Sequence, residues 1–210
     1  MTQRQITLVN NSTSPTSLAL LQNASEQGNV VAWLAKYAYP GTQVRFTWDD
    51  TDLCFVWAGT SQLSPGVVLD VSQVVPAGAN ANNAIDFSYD AANRTFYLHN
   101  LRDGNRPNTM TVTADNTLPV NAVAVGIGMA GKPTLVLQAQ PNMNYQFTPQ
   151  PTYFLAFGNI TQSAVVDADA VNSQKVEFPP NVFALTATLG ADNNWTVVSD
   201  ILAMAQTDDE

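Results

Sequence analysis

The chain has 210 residues, 45% of them hydrophobic and only 12% charged, with a net charge of −9 and one cysteine. Three lysines and five arginines make no basic cluster that would release counterions from phosphate, which excludes nucleic acid and acidic membrane surfaces as partners. A lone Cys54 excludes an internal disulfide and any cysteine-rich metal site, and no apolar stretch reaches the length needed for membrane insertion.

The first ten residues, Met1–Asn10, carry no apolar core of the signal-peptide kind. Cytosolic synthesis is therefore expected, with release only by a non-standard route. Asn29–Tyr37 can be read as helix, but Trp33, Ala35 and Tyr37 alternate with Lys36 and Ala38, which favours a strand. Further strands are predicted at Val44–Trp48, Leu53–Trp57, Thr95–Leu101, Met110–Thr113, Thr134–Gln138, Tyr145–Thr148 and Trp195–Val198, all rich in β-branched and aromatic residues. Turn residues separate them: Pro40-Gly41, Asp49-Asp50, Pro65-Gly66, Asp103-Gly104, Gly131–Pro133, Pro179-Pro180 and Asp192–Asn194. Ala77–Asn83 reads as a loop. Ile201–Gln206 is the best helical candidate, ahead of the acidic end Asp208–Glu210. This spacing predicts an all-β fold of antiparallel sandwich or jelly-roll type.

The chain also repeats itself. Pro40, Phe46, Thr47 and Thr51 find Pro141, Phe147, Thr148 and Thr152 at an offset of 101, and Asn93-Arg-Thr95 finds Asn194-Trp-Thr196 at the same offset. Ile6–Val9 with Thr13-Ser-Pro15 resembles Met110–Thr113 with Thr117-Leu-Pro119 at an offset of 104. Blocks in one order with a small drift point to an internal duplication. The expected organisation is two tandem modules, residues 1–105 and 106–210, tightly packed across Asp103–Pro107.

Several patterns invite a chemical reading. Trp48, Asp49, Asp50 and Asp52 are the candidate ligand-binding residues, since three carboxylates in four positions suit Ca²⁺ and a tryptophan suits a sugar ring. The equivalent stretch, Pro149–Tyr153, is also turn-forming but holds no carboxylate, so the turn is what both copies share. Gly126-Ile-Gly-Met-Ala-Gly131 fits a dinucleotide fingerprint literally, yet a turn and a strand follow it rather than a helix. Those glycines are expected to serve close sheet packing or a bulge. His99 lies in Phe96–Asn100 with no nucleophile elbow, so a locally bonded strand histidine is expected. Asp167-Ala-Asp169 sets two carboxylates on one strand face but lacks a glycosidase pattern. Cys54 reads as a small buried hydrophobe. The six N-x-S/T sequons follow from composition. No catalytic residue, cofactor or metal is expected.

Val31–Lys36, Phe46-Thr-Trp48, Phe55-Val-Trp57 and Pro65-Gly-Val67 carry a wider likeness, continued by Val125–Met129, Gln140-Pro-Asn142, Tyr153–Gly158, Val176–Pro179 and Asp192–Trp195. Through these blocks the chain resembles the RhiA family, known from a rhizosphere-expressed protein of root-nodule bacteria. The resemblance implies an abundant bacterial protein tied to interaction with plants or surroundings, and it brings no catalytic motif to these positions. Independently, 66 Asn, Gln, Ser and Thr residues against 25 charged ones make a surface that repels its own copies weakly. A non-enzymatic structural or interaction protein is expected, a homo-oligomer or polymer formed by self-association. The alternative is a lectin-like glycan-binding module.

Overall fold

The computed structural model describes residues 3–22, 28–149, 152–167 and 172–200. The helical candidate Ile201–Gln206, the acidic end and Asp169 lie outside the described residues. Seventeen strands run through the rest. The first nine are β1 (Gln3–Asn10), β2 (Thr16–Gln22), β3 (Asn29–Val30), β4 (Leu34–Ala38), β5 (Thr42–Asp49), β6 (Leu53–Gly59), β7 (Val71–Ala77), β8 (Ala84–Asp90) and β9 (Thr95–Arg102). The second half holds β10 (Met110–Ala114), β11 (Val123–Met129), β12 (Lys132–Gln138), β13 (Met143–Phe147), β14 (Tyr153–Gly158), β15 (Ser173–Val176), β16 (Ala184–Leu189) and β17 (Trp195–Ser199). The fold is all-β, as expected, and Ala77–Asn83 is the loop between β7 and β8 beyond the last residue of β7.

The strands form four sheets. Sheet I has the order β17-β16-β1-β5, sheet II β15-β14-β2-β4, sheet III β3-β12-β11-β6-β7 and sheet IV β13-β10-β8-β9. Each sheet takes strands from both sides of residue 105, so the division into 1–105 and 106–210 separates halves of the sequence but not sets of sheets. Sheets III and IV come almost wholly from the continuous stretch Leu53–Phe147; sheets I and II join the two ends of the chain. Two ladders depart from the antiparallel expectation: β1 with β16 and β8 with β10 run parallel. Parallel neighbours need a long connection between them, and here intervening strands supply it.

Sheet I corresponds to sheet IV strand for strand, and sheet II to sheet III apart from the extra β3. Ile6 pairs with Phe46 in sheet I, and Met110 with Phe147 in sheet IV; the separations, 104 and 101, are the offsets read in the sequence. The alternation in β5 explains its place: Phe46 and Trp48 face the core while Gln43, Arg45 and Thr47 stay outside. β11 is buried at every position, as a central strand covered on both faces must be. The main hydrophobic core runs through all four sheets, from Ile6 and Leu20 to Phe87 and Leu189, and two smaller clusters form around Val56 and Val136 and around Leu21 and Ala156. Trp48 meets Tyr153 between sheets I and II at 5.1 Å between ring centroids, and Trp57 meets Phe87 between sheets III and IV at 6.1 Å.

The crossing from one half to the other is pinned by Asn83, which is fully buried. Its Nδ2 donates to the carbonyls of Arg106 and Thr109, each at 2.9 Å, and its Oδ1 accepts the Gly104 N–H at 2.7 Å. Asparagine also makes the turns. Seven of the ten described non-glycine residues with positive φ are Asn, which accounts for part of the amide richness in backbone terms rather than surface ones.

The glycines of Gly126–Gly131 do sheet work. A Cβ on Gly126 would stand 2.0 Å from the Leu135 carbonyl oxygen, and one on Gly128 2.2 Å from that of Lys132. The β11–β12 register shifts between Ile127 and Gly128. Ala130 and Gly131 then take positive φ in the two-residue turn that closes the hairpin. We predict that Gly126→Ala lowers stability by about 1–3 kcal/mol or more through overpacking, while Gly59→Ala, with nothing within 4 Å of its Cβ, stays near neutral. Denaturant unfolding followed by circular dichroism checks both.

Candidate functional site

Trp48 is the last inward residue of β5, and Asp49–Asp52 turn the chain into β6. The carboxylates of this turn go separate ways. Asp49 Oδ1 accepts the N–H and the hydroxyl of Thr51 at 2.9 and 2.7 Å, the usual self-capping of an Asx turn. Asp50 folds inward instead. Its Oδ2 accepts Arg4 Nε at 2.6 Å, and its Oδ1 accepts the Tyr153 hydroxyl at 2.6 Å and Trp48 Nε1 at 3.0 Å. Asp52 uses its backbone, its carbonyl accepting the Ala130 N–H at 2.8 Å and so docking the β11–β12 hairpin. Among the described residues no group of three or more His, Cys, Asp or Glu side chains is placed to hold a metal ion.

Two of the four sequence candidates, Trp48 and Asp50, therefore share one cluster, and Asp49 and Asp52 do not join it. Arg4, Trp33, Tyr153 and Phe178, none of them among those four candidates, complete the cluster from β1, the segment before β4, β14 and the chain after β15. Trp33 packs edge-on to Trp48 at 5.2 Å and donates Nε1 to the Met129 carbonyl at 2.8 Å. Arg4 lies over the Phe178 ring at 4.6 Å and donates Nη1 to the Val182 carbonyl at 3.1 Å. Tyr153 had a signal in the repeat, standing 101 residues after Asp52, and Trp33 and Phe178 lie in blocks that carry the family likeness, while Arg4 had none.

A cavity of about 280 Å³ opens beside Arg4, Asp50 and Tyr153, rimmed by the exposed ion pair of Lys175 and Glu177. Burial, reinforced by the Asp50 carboxylate, pushes the Tyr153 hydroxyl far above the ordinary phenol range, so it stays a neutral donor. Both Asp50 oxygens are occupied. The ion pair lies within sheet I, the Tyr153 hydroxyl ties it to sheet II, and the arrangement presents neither a free base nor an activated nucleophile.

Sheet IV brings together another suggestive set. Ser88 Oγ lies 2.6 Å from Asp115 Oδ2 and 2.9 Å from His99 Nε2. The serine has one proton, which goes to the carboxylate, so the hydroxyl oxygen accepts the Nε2–H of His99. A catalytic serine needs the opposite order, with its proton accepted by the histidine and the carboxylate behind the ring. His99 also stacks on Tyr97 at 4.7 Å and sits opposite Asp86 in the β8–β9 ladder. Cys54 is buried against sheet III, and burial, with the nearby Asp52 charge, pushes its thiol up to about 11. Asp167 lines a separate cavity of about 280 Å³ with Pro65 and Ile160.

The family model for RhiA matches residues 1–200. The chain belongs to the RhiA family. It is 32% identical over 204 residues to Protein RhiA of Rhizobium leguminosarum bv. viciae, covering 93% of this chain and 86% of that protein. No solved structure matches it.

Two predictions follow from these contacts. Asp50→Ala leaves Arg4 without its counterion and is expected to cost about 2–4 kcal/mol. In a double-mutant cycle with Arg4→Ala, the paired loss falls short of the sum by more than about 1 kcal/mol. Burial raises the Asp115 carboxyl, but the hydrogen bonds from Ser88 and Thr117 and the nearby His99 together hold it below its ordinary 3.8. A lowered carboxyl adds stability above its unfolded value and loses it as pH falls through the folded one. The stability gap between the protein and Asp115→Asn should therefore be full at neutral pH and close below about pH 4, as urea titrations across pH will show.

Proposed function

We propose that this RhiA-family chain is a non-enzymatic interaction protein that assembles with copies of itself through open sheet edges. The observation that carries this reading is the contrast among its edges. β4 and β15 carry Lys36 and Lys175, β5 and β9 carry Arg45 and Arg102, and β7 carries Pro76, residues that discourage pairing with a foreign strand. β13 and β17 carry no charged residue and no proline, and expose Met143 and Val198; the remaining edge, β3, is also uncharged but is only two residues long, too short to hold a foreign strand. One open edge belongs to sheet IV and the other to sheet I, on strands that do not correspond to each other.

Pairing of β17 in one copy with β13 in the next joins two different surfaces, and a contact of that kind propagates unless rotation closes a ring. The charged fraction of 12%, though it leaves a net charge of −9, is low, and supports weaker repulsion between copies than a more densely charged surface would give. The correspondence of sheets I and II with IV and III supports an internal duplication as the source of this two-ended body. The Ser88–His99–Asp115 order supports the non-enzymatic part of the reading.

Sedimentation velocity over a concentration series, with negative-stain electron microscopy, tests the proposal. Assemblies that lengthen with concentration are expected, and Met143→Lys or Val198→Lys should each abolish them. Mixing the two variants should restore dimers and nothing larger, because each retains the edge that the other has lost. Monomers at every concentration would sink the reading.

A further inference from the structure

One cavity among the described residues borders the edge strand β17 at its first residue, Trp195. It holds about 480 Å³ between the start of β15 and the β16–β17 turn, and its lining includes Phe157, Trp195, Asn172, Gln174 and Asn194. Trp195 is 8% exposed, and its indole N–H is the one buried side-chain polar group among the described residues without a hydrogen-bond partner. A buried donor left unpaired is rare and costs about 1–3 kcal/mol.

Packing does not demand that donor. By strand pairing, rather than by the 101-residue offset that sets Arg94 against Trp195, the corresponding place in sheet IV falls to Leu98, which pairs with Phe87 and through it with Ala114, as Trp195 pairs in sheet I with Leu189 and through it with Asn10. A leucine serves the one core where a tryptophan with an unused N–H serves the other. The charge of the cavity narrows the ligand. Asp192 is its only charged lining residue, and its carboxyl is held below the ordinary range by the side-chain amide of Asn194 at 2.8 Å and the Asn194 N–H at 3.1 Å. With that carboxylate already bonded and no cation present, neither an anionic nor a cationic ligand is favoured.

We infer that this cavity takes a neutral polyhydroxylated ligand, a saccharide unit, against the rings of Phe157 and Trp195. Its hydroxyls meet the amides of Asn172, Gln174 and Asn194, and one of them supplies the acceptor that the indole lacks. Aromatic rings together with a few amides in one lining are the composition of a small-molecule site. This inference is independent of self-association.

The test uses the full chain carrying both Met143→Lys and Val198→Lys, so that assembly and ligand binding fail separately. The indole N–H signals of its four tryptophans are followed by ¹⁵N NMR, with Trp195→Phe identifying the relevant one. Cellobiose, maltose, lactose and chitobiose are the probes, added to millimolar concentration. A saturable shift of the Trp195 indole with at least one of them, the other three indoles standing still, is expected, and Gln174→Ala should weaken it at least threefold. No shift with any probe, equal shifts of all four indoles, or a persistent contact of the Trp195 N–H with water at the highest sugar concentration would each overturn the inference.

Discussion

Sheets I and II, and the cluster between them, depend on the parallel ladder between β1 and β16, which pairs residues near one end of the sequence with residues near the other. It fixes sheet I, and with it the position of β5, of Trp48 and of the turn that carries Asp50. Sheet II repeats the bridging with β2 against β14, placing Tyr153 where its hydroxyl meets Asp50. The ion pair of Arg4 and Asp50 therefore lies at a seam between chain ends. It is valuable there for alignment rather than for net energy, since a partly buried pair gains little beyond what desolvation removes.

The same exchange explains why one main core serves four sheets. Two self-contained modules would each bury their own faces and meet at a modest interface. Here β6 pairs with β11 and β14 with β2, so every sheet carries hydrogen bonds between the halves of the sequence. Trp33 extends this to sheet III by bonding to Met129. The glycines of β11 belong to the same logic, because β12 crosses so closely that no side chain fits between them.

Local structure was legible in the sequence wherever alternation was clean. β5, β6, β9 and β17 stand where Val44–Trp48, Leu53–Trp57, Thr95–Leu101 and Trp195–Val198 predict them, and the offsets of 101 and 104 recur in the registers. Strands such as β2 and β16 were harder to see, since alanine and leucine in Thr16–Gln22 and Ala184–Leu189 carry little strand preference. Strand partners were not legible at all. Periodicity shows that a segment is a strand and which side is apolar, and says nothing of the neighbour it bonds. For the same reason the Asp49–Asp52 turn looked like a local cluster of oxygens, when Asp50 is committed to residues 46 and 103 positions away.

The topology also orders events in time. Leu53–Phe147 can close sheet IV and most of sheet III as soon as it has left the ribosome, whereas β1, β2, β4 and β5 have no complete sheet to join until Tyr153–Ser199 has been made. Contacts so distant in sequence form slowly, and the strands that wait for them stay exposed. In a nascent chain with so little charge, the N-terminal strands are held open longest, and the window for mispairing between neighbouring chains closes only when synthesis is nearly complete.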